Sequence, residues 1–241
     1  MNAKTIVTAI LVFVNISSFA QPWKKIEGNG NLKKETRDVG SFIAIASSGS
    51  WDVQIAYGTS NTIQIEADDN LLPYIKTDVE KGILKIDTKK YINLQSHKKI
   101  TIYVFLTKLT GISLAGSGDI FGKGDFTNNG KTSFSLVGSG NIQIDFKTIE
   151  TVGISIAGSG NVKLSGIAEN VTASIAGSGN ANCENLVADN LLASIAGSGH
   201  VKCTANKSVK ASIMGSGNVY YKGSATDIKK TIVGSGKMIK M

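Results

Sequence analysis

Between Gly111 and Lys240, apolar and polar side chains alternate in short runs that restart at regular intervals. In Val171-Thr172-Ala173-Ser174-Ile175 the three apolar residues face one way and Thr172 and Ser174 the other, the period of two expected of a half-buried strand. The same places are taken by Ile154 and Ile156, by Ala193 and Ile195, and by Ala211 and Ile213. Each run ends on Gly-Ser-Gly, and alternation resumes beyond it, as in Asn161-Val162-Lys163-Leu164 and Asn218-Val219-Tyr220-Tyr221. The pattern predicts a unit of strand, glycine corner, strand and loop.

Gly-Ser-Gly begins at Gly116, Gly138, Gly158, Gly177, Gly197, Gly215 and Gly234, so successive corners stand 22, 20, 19, 20, 18 and 19 residues apart. One such unit has too little apolar surface to bury by itself, and a period near 20 residues marks a fold built by stacking units. The expected class is all-β: a parallel β-helix or β-solenoid with like residues in ladders. Its six intervals, at about 4.8 Å each, give a coil of about 29 Å. Glycine suits a corner where the chain turns sharply or approaches the rung above, and the Asn, Asp or His that follows is a residue type that readily takes up turn geometry.

The first half lacks the strict period. Residues 1–20 read as a signal peptide, with Lys4 as positive flank, an apolar run from Thr5 to Ile16, and Ser18-Phe19-Ala20 as the cleavage pattern. Gln21 follows the cut rather than Cys, so nothing indicates lipid attachment there. Residues 21–40 are polar and read as a lead-in or cap. Residues 41–110 are β-rich, with strand patterns at Phe42 to Ile45, Trp51 to Ile55, Thr62 to Ile65, Ile83 to Ile86 and Ile100 to Phe105. Asp69 to Tyr74, which holds Pro73, reads as a helical turn or loop. Residues 111–241 form the repeat. Spacing leaves two readings of 41–110 open: a small separate β domain, or irregular early coils of the same solenoid. In either case it covers one end, which would otherwise offer unpaired strand edges.

The chain resembles the auto-transporter adhesins with a head GIN domain, exported proteins of Bacteroidetes. The resemblance rests on Phe42 to Ile45, Gly49-Ser50-Trp51-Asp52-Val53-Gln54-Ile55 with Gly58, Asp68-Asp69-Asn70-Leu71-Leu72, Gly82-Ile83-Leu84-Lys85-Ile86 and Leu114-Ala115-Gly116-Ser117-Gly118-Asp119. It covers roughly Phe42 to the C-terminus. It implies a β-helix-like all-β fold, export and an adhesive role, and it brings no catalytic residues.

The net charge of +8 falls to +7 once residues 1–20 are removed, and the lysines are spread, with short pairs such as Lys89-Lys90 and Lys98-Lys99. A nucleic-acid partner is not expected, because it calls for clustered basic residues interleaved with aromatics. Acidic glycans or anionic headgroups suit the charge better, against the plainer reading of a solvated lysine-rich surface. Cys183 and Cys203 lie one repeat apart, at the inward place of Ile144, Leu164 and Tyr221, and are expected as neighbours on adjacent rungs. A stacked pair of buried thiols is favoured over a disulfide, since in-register neighbours aim their Cβ bonds alike. No metal or cofactor is expected: the chain has two histidines, His97 and His200, and Gly-Ser-Gly lacks the Lys-Ser/Thr of a phosphate loop.

Some parallel β-helices cleave acidic polysaccharides, which requires two or more carboxylates close together. Asp119, Asp125, Asp145, Glu150, Glu169, Glu184, Asp189 and Asp227 are read as lying at different phases of the rung, so no carboxylate ladder and no catalytic residue is assigned. The repeat does present Ser117, Ser139, Ser159, Ser178, Ser198, Ser216 and Ser235 beside Asn141, Asn161, Asn180 and Asn218. If outward, these make a polar stripe able to bind a glycan or a cell-surface protein; the alternative is that they satisfy corner backbone groups. The reading is an exported, non-catalytic adhesin or binding module, in the periplasm or at the cell surface, with no integral membrane segment after cleavage. A polysaccharide lyase or hydrolase and a purely structural scaffold are the alternatives.

Overall fold

A computed structural model describes residues 23–58 and 62–241; the expected signal peptide lies outside them. Among the described residues no helix is long and apolar enough to cross a membrane. The chain winds as a parallel β-solenoid of about six turns, preceded by an irregular β part.

The expected loop between units is replaced by strand. Asn141–Gly158, Asn161–Gly177, Asn180–Gly197 and His200–Gly215 each run unbroken from one corner to the next, and bend on the way through register shifts such as that between Asp145 and Thr148. Parallel hydrogen bonding therefore continues around this second bend, where composition alone indicated a loop.

Inward columns are nearly closed to water. Leu136, Ile156, Ile175, Ile195 and Ile213 stack on one wall, and Ile142, Val162, Ala181, Val201 and Val219 on another. Each first glycine of the repeat has φ between +118° and +132°, and a β-carbon there would lie 2.3–2.6 Å from the carbonyl oxygen of the first glycine one coil below. That carbonyl accepts hydrogen bonds from the coil above: Ser159 N and Gly160 N both donate to Gly138 O, at 3.0 and 3.1 Å. Glycine is demanded twice, by backbone conformation and by close approach.

Residues 41–110 continue the same coil. Ala44–Gly49 lies parallel to Gly111–Gly116, with Gly49 paired to Gly116, and Asp52–Tyr57 lies parallel to Asp119–Lys123. Gly49-Ser50-Trp51-Asp52 is thus an eighth corner with Trp51 in the second-glycine place. Beneath it, Ile83–Thr88 and Thr101–Leu106 form a further, interrupted rung. Pairing then turns antiparallel: Ile75–Glu80 covers Ile83–Thr88, while Thr62–Asp68 covers Thr101–Leu106 and is itself covered by Leu32–Asp38. The outermost strand is charged, with Lys33, Lys34, Glu35 and Arg37, which discourages further strand addition. Arg37 also fastens the cap, donating to Leu72 O at 2.8 Å and to Ile75 O at 2.6 Å. At the other end Lys230 and Lys240 occupy inward register positions opposite Ala211 and Tyr221, so a strand added there would bury charge.

Cys183 and Cys203 pair in register on adjacent rungs as buried free thiols. Burial pushes both up, Cys203 to about 12 and Cys183 well above the ordinary thiol value, the latter also through its neighbour Cys203. Since the folded state holds these protons more tightly than the unfolded chain, their contribution is complete below the unfolded thiol value and is lost as pH rises through the folded values. Stability should therefore fall above about pH 8.5, by up to about 1.4 kcal/mol per pH unit for each thiol, and Cys183→Ala with Cys203→Ala should flatten that slope in urea titrations. A slope unchanged by the double substitution counts against this account.

Candidate functional site

The corner that organises the coil carries two polar columns with different occupations. Ser117, Ser139, Ser159, Ser178, Ser198, Ser216 and Ser235 are exposed. The corner N–H groups they might have served are already paired with backbone carbonyls one coil below. A second column lies beside the first on the same outer face, where Ser113, Ser135, Ser155, Ser174, Ser194 and Ser212 stand in register. Paired strands carry these hydroxyls at a repeat of about 4.8 Å, on backbone that the glycines hold in one conformation.

The asparagines bond along the coil. Asn141 Nδ2 donates to Asp119 Oδ1 at 2.7 Å, Asn161 Nδ2 to Asn141 Oδ1 at 2.9 Å, and Asn180 Nδ2 to Asn161 Oδ1 at 2.9 Å. His200 breaks the amide chain; its Nδ1 accepts from Asn218 N at 3.1 Å, and Asn218 Oδ1 accepts from Lys237 N at 2.9 Å. Asp52 and Asp119 begin the column as stacked carboxylates, and Lys99 Nζ bridges them at 2.7 and 3.2 Å. The Asp52 carboxylate, with Asp119 behind it, holds the Lys99 ammonium above the usual lysine range despite partial burial. Of the two columns singled out in the sequence, serine is therefore the one with outward, uncommitted groups.

One sequence expectation is corrected by the register. Glu150, Glu169 and Asp189 share one phase of the rung, each lying between the paired positions Ile149, Ala168, Ala188 and Thr151, Asn170, Asn190. They form the acidic column that spacing alone hid, because insertions at the second bend change the residue count between corners. Lys207 Nζ closes it at 2.8 Å from Asp189. Among the described residues no group of three or more His, Cys, Asp or Glu is arranged to hold a metal ion.

The lysine pairs, spread along the sequence, converge. Ile83–Thr88 ends and Thr101–Leu106 begins without a tight corner between them, and residues 89–100 bow outward instead, carrying the short strand Ile92–Gln95 paired with Lys24–Glu27. Against the Gly49-Ser50-Trp51 corner this leaves a cleft of about 740 Å³, lined by Trp23, Trp51, Tyr91, His97 and the lysines at 89, 90, 98 and 99. Buried Asp68 posts one wall, its Oδ2 accepting from Ser96 Oγ at 2.8 Å and from His97 N at 3.1 Å. Burial opposes its charge, but those hydrogen bonds outweigh it and hold the carboxyl below the usual range. Sequence reasoning missed this cleft because its aromatic residues are far apart in the chain; the one local signal was the pair of Lys-Lys steps flanking residues 91–97.

A family model described as "Putative auto-transporter adhesin, head GIN domain" matches residues 41–225. The chain belongs to this family. A structure from Bacteroides fragilis, described as a putative adhesin, is 28% identical, with a TM-score of 0.84 over 90% of this chain and 100% of that one. Two others share the fold: one from Parabacteroides distasonis, described as a putative lipid binding protein, at 24% identity and TM-score 0.74 over 90% of this chain and 100% of that one, and a putative adhesin from Parabacteroides merdae at 23% and 0.69 over 90% and 99%. No curated protein sequence matches the chain. Membership in an adhesin-named family supports an exported or surface protein that works by binding.

Proposed function

We propose that this head GIN domain protein is exported and acts at the cell envelope as a non-catalytic binding module, its serine-lined corner and outer face meeting a glycan or a cell-surface protein. The observation that carries this reading is the in-register column of exposed serines, Ser117 to Ser235, on corners fixed by glycine. Regularly spaced hydroxyls on a rigid face match an extended ligand that itself repeats, and they incur little ordering entropy because the side chains are short.

Ser159→Lys with Ser178→Lys places two long cations in the middle of that column without touching the core. Binding to an envelope and host-glycan array, or to intact cells, should weaken by about tenfold or more, with the melting temperature unchanged. Full retention of binding would remove the serine column from the site.

A polysaccharide-active enzyme is a second reading, favoured by the column of Glu150, Glu169 and Asp189 beside a shallow groove of about 370 Å³. Product analysis of each sugar incubated with the protein decides it: a shortened or unsaturated product that disappears with Glu169→Gln would establish the enzyme.

A further inference from the structure

Cleft volume, aromatic lining and uncompensated charge meet at the Gly49-Ser50-Trp51 corner, where the regular serine column ends. The floor is Trp51, buried and with its indole N–H satisfied by Ser47 Oγ at 2.8 Å, so it offers an apolar surface with no polar demand of its own. The rim carries Trp23, 67% exposed, and Tyr91, 54% exposed. These are the two most exposed aromatic side chains among the described residues, and both border the same cleft.

Tyr91 is held there at a conformational cost. Ile92 N donates to Lys89 O at 3.2 Å, closing a four-residue turn in which Tyr91 is the third residue, with φ of +61°. That place normally belongs to glycine or asparagine, because a β-carbon is crowded at positive φ. A strained, solvent-facing aromatic contributes little to the core, which directs attention to what it would touch.

The charge is one-sided. Lys99 is taken up by Asp52 and Asp119, and the Lys89 ammonium lies 5.7 Å from the Tyr74 ring centroid. Lys90 and Lys98 pair with no carboxylate among the described residues. Asp87 is the one acid on the lining, and its Oδ1 accepts from Thr88 N at 2.7 Å.

We propose that this cleft binds an acidic saccharide, with a sugar ring laid on Tyr91 beside Trp23 and its carboxylate held by Lys90 and Lys98. The apolar face of a pyranose ring suits an aromatic plane, and a compact ammonium serves a carboxylate at the ring's edge as a point charge. The volume falls within the range of sites that enclose small ligands. The inference does not rest on the serine columns, and Ser159→Lys with Ser178→Lys should leave it untouched.

Both tryptophans of the chain line this cleft, so intrinsic fluorescence reads the site directly. The purified protein is titrated with oligomers of galacturonate, of guluronate and of hyaluronan, beside methyl-esterified galacturonate oligomers, inorganic phosphate and phosphatidylglycerol vesicles. At least one acidic oligomer should give a saturable fluorescence change, and its methyl-esterified form should bind at least about tenfold more weakly. Lys90→Ala with Lys98→Ala should weaken binding by about tenfold or more at unchanged melting temperature. Tyr91→Asn should weaken it similarly while the melting temperature stays level or rises, because asparagine accepts positive φ; a purely structural tyrosine would instead lower it. Failure of every acidic oligomer to bind, equal binding of charged and neutral forms, or indifference to these substitutions overturns the proposal. So does vesicle binding that depends on Lys90 and Lys98 without any oligomer binding, which assigns the cleft to a membrane surface, or phosphate binding as tightly as the oligomers, which reduces it to a simple anion site.

Discussion

Gly177→Ala should destabilise the middle of the solenoid by about 4 kcal/mol, the sum of a strained backbone and an overpacked contact. Gly177 has φ of +123°, and a β-carbon there would stand 2.5 Å from Gly158 O. That oxygen cannot retreat, because it accepts from both Ser178 N and Gly179 N, at 2.9 and 3.0 Å. Relief requires the two coils to separate locally, which breaks the ladder on either side. For a chain of this size the loss corresponds to a melting temperature lower by about 8–16 °C. In a stacked fold it should also uncouple the coils before and after the lesion, so that urea unfolding broadens or divides into two transitions. Gly153→Ala is the control. Gly153 lies within the outer face of a strand with no positive φ, and the nearest atom to an added β-carbon is the flexible Lys131 side chain. There the same substitution should be neutral or slightly stabilising, since alanine restricts the unfolded chain. Equal effects at both positions would show that the corner glycines are dispensable.

Trp51→Gly should cost about 3–5 kcal/mol, although it completes the Gly-Ser-Gly pattern at the eighth corner. In every later coil a side chain at the second-glycine place is blocked: a β-carbon on Gly118, Gly140 or Gly160 would lie 2.1–2.3 Å from a carbonyl oxygen one coil below. Under Trp51 the tight corner is missing: residues 89–100 leave the coil where the next corner would fall and rejoin it at Ile100, whose carbonyl accepts from Asp52 N at 3.0 Å. The indole fills that space at the end of the core, 4% exposed. Ser47 adapts to it. It occupies the inward place held by Leu114 in the next coil, and its hydroxyl is the acceptor that the buried indole N–H needs. The glycine substitution would leave a large cavity at the end of the core and a buried hydroxyl without its donor. Chemical unfolding of the variant tests this; stability equal to the parent would mean that the cap, rather than Trp51, seals the coil.

These two positions show where the chain is legible and where it is not. The period of two in Val171 to Ile175, the repeat near 20 and the recurring Gly-Ser-Gly are local facts, and each is a direct imprint of one rung on the sequence. They suffice for an all-β parallel solenoid, for inward columns such as Ile156, Ile175 and Ile195, and for Cys183 lying against Cys203, because stacking identical units places like beside like. The outward serines are legible for the same reason. What the serines and asparagines do differs through geometry: the Asn side chains reach the coil below and bond along the axis, whereas the shorter serines point outward at the corner.

The remainder belonged to tertiary structure. Residues 41–110 lack the repeat, so only strand pairing could join Gly49 to Gly116 and make the irregular half part of one coil. The phase of Glu150, Glu169 and Asp189 depended on how many residues each second bend absorbs, which varies from coil to coil. The cleft depended on contacts among residues far apart in the chain, Trp23, Trp51 and Tyr91 with the lysines at 90 and 98, none of which repeats. A repeating sequence determines its own stacking because each unit meets a copy of itself; a cap and a cleft arise where that repetition stops, and there only the folded chain decides which residues meet.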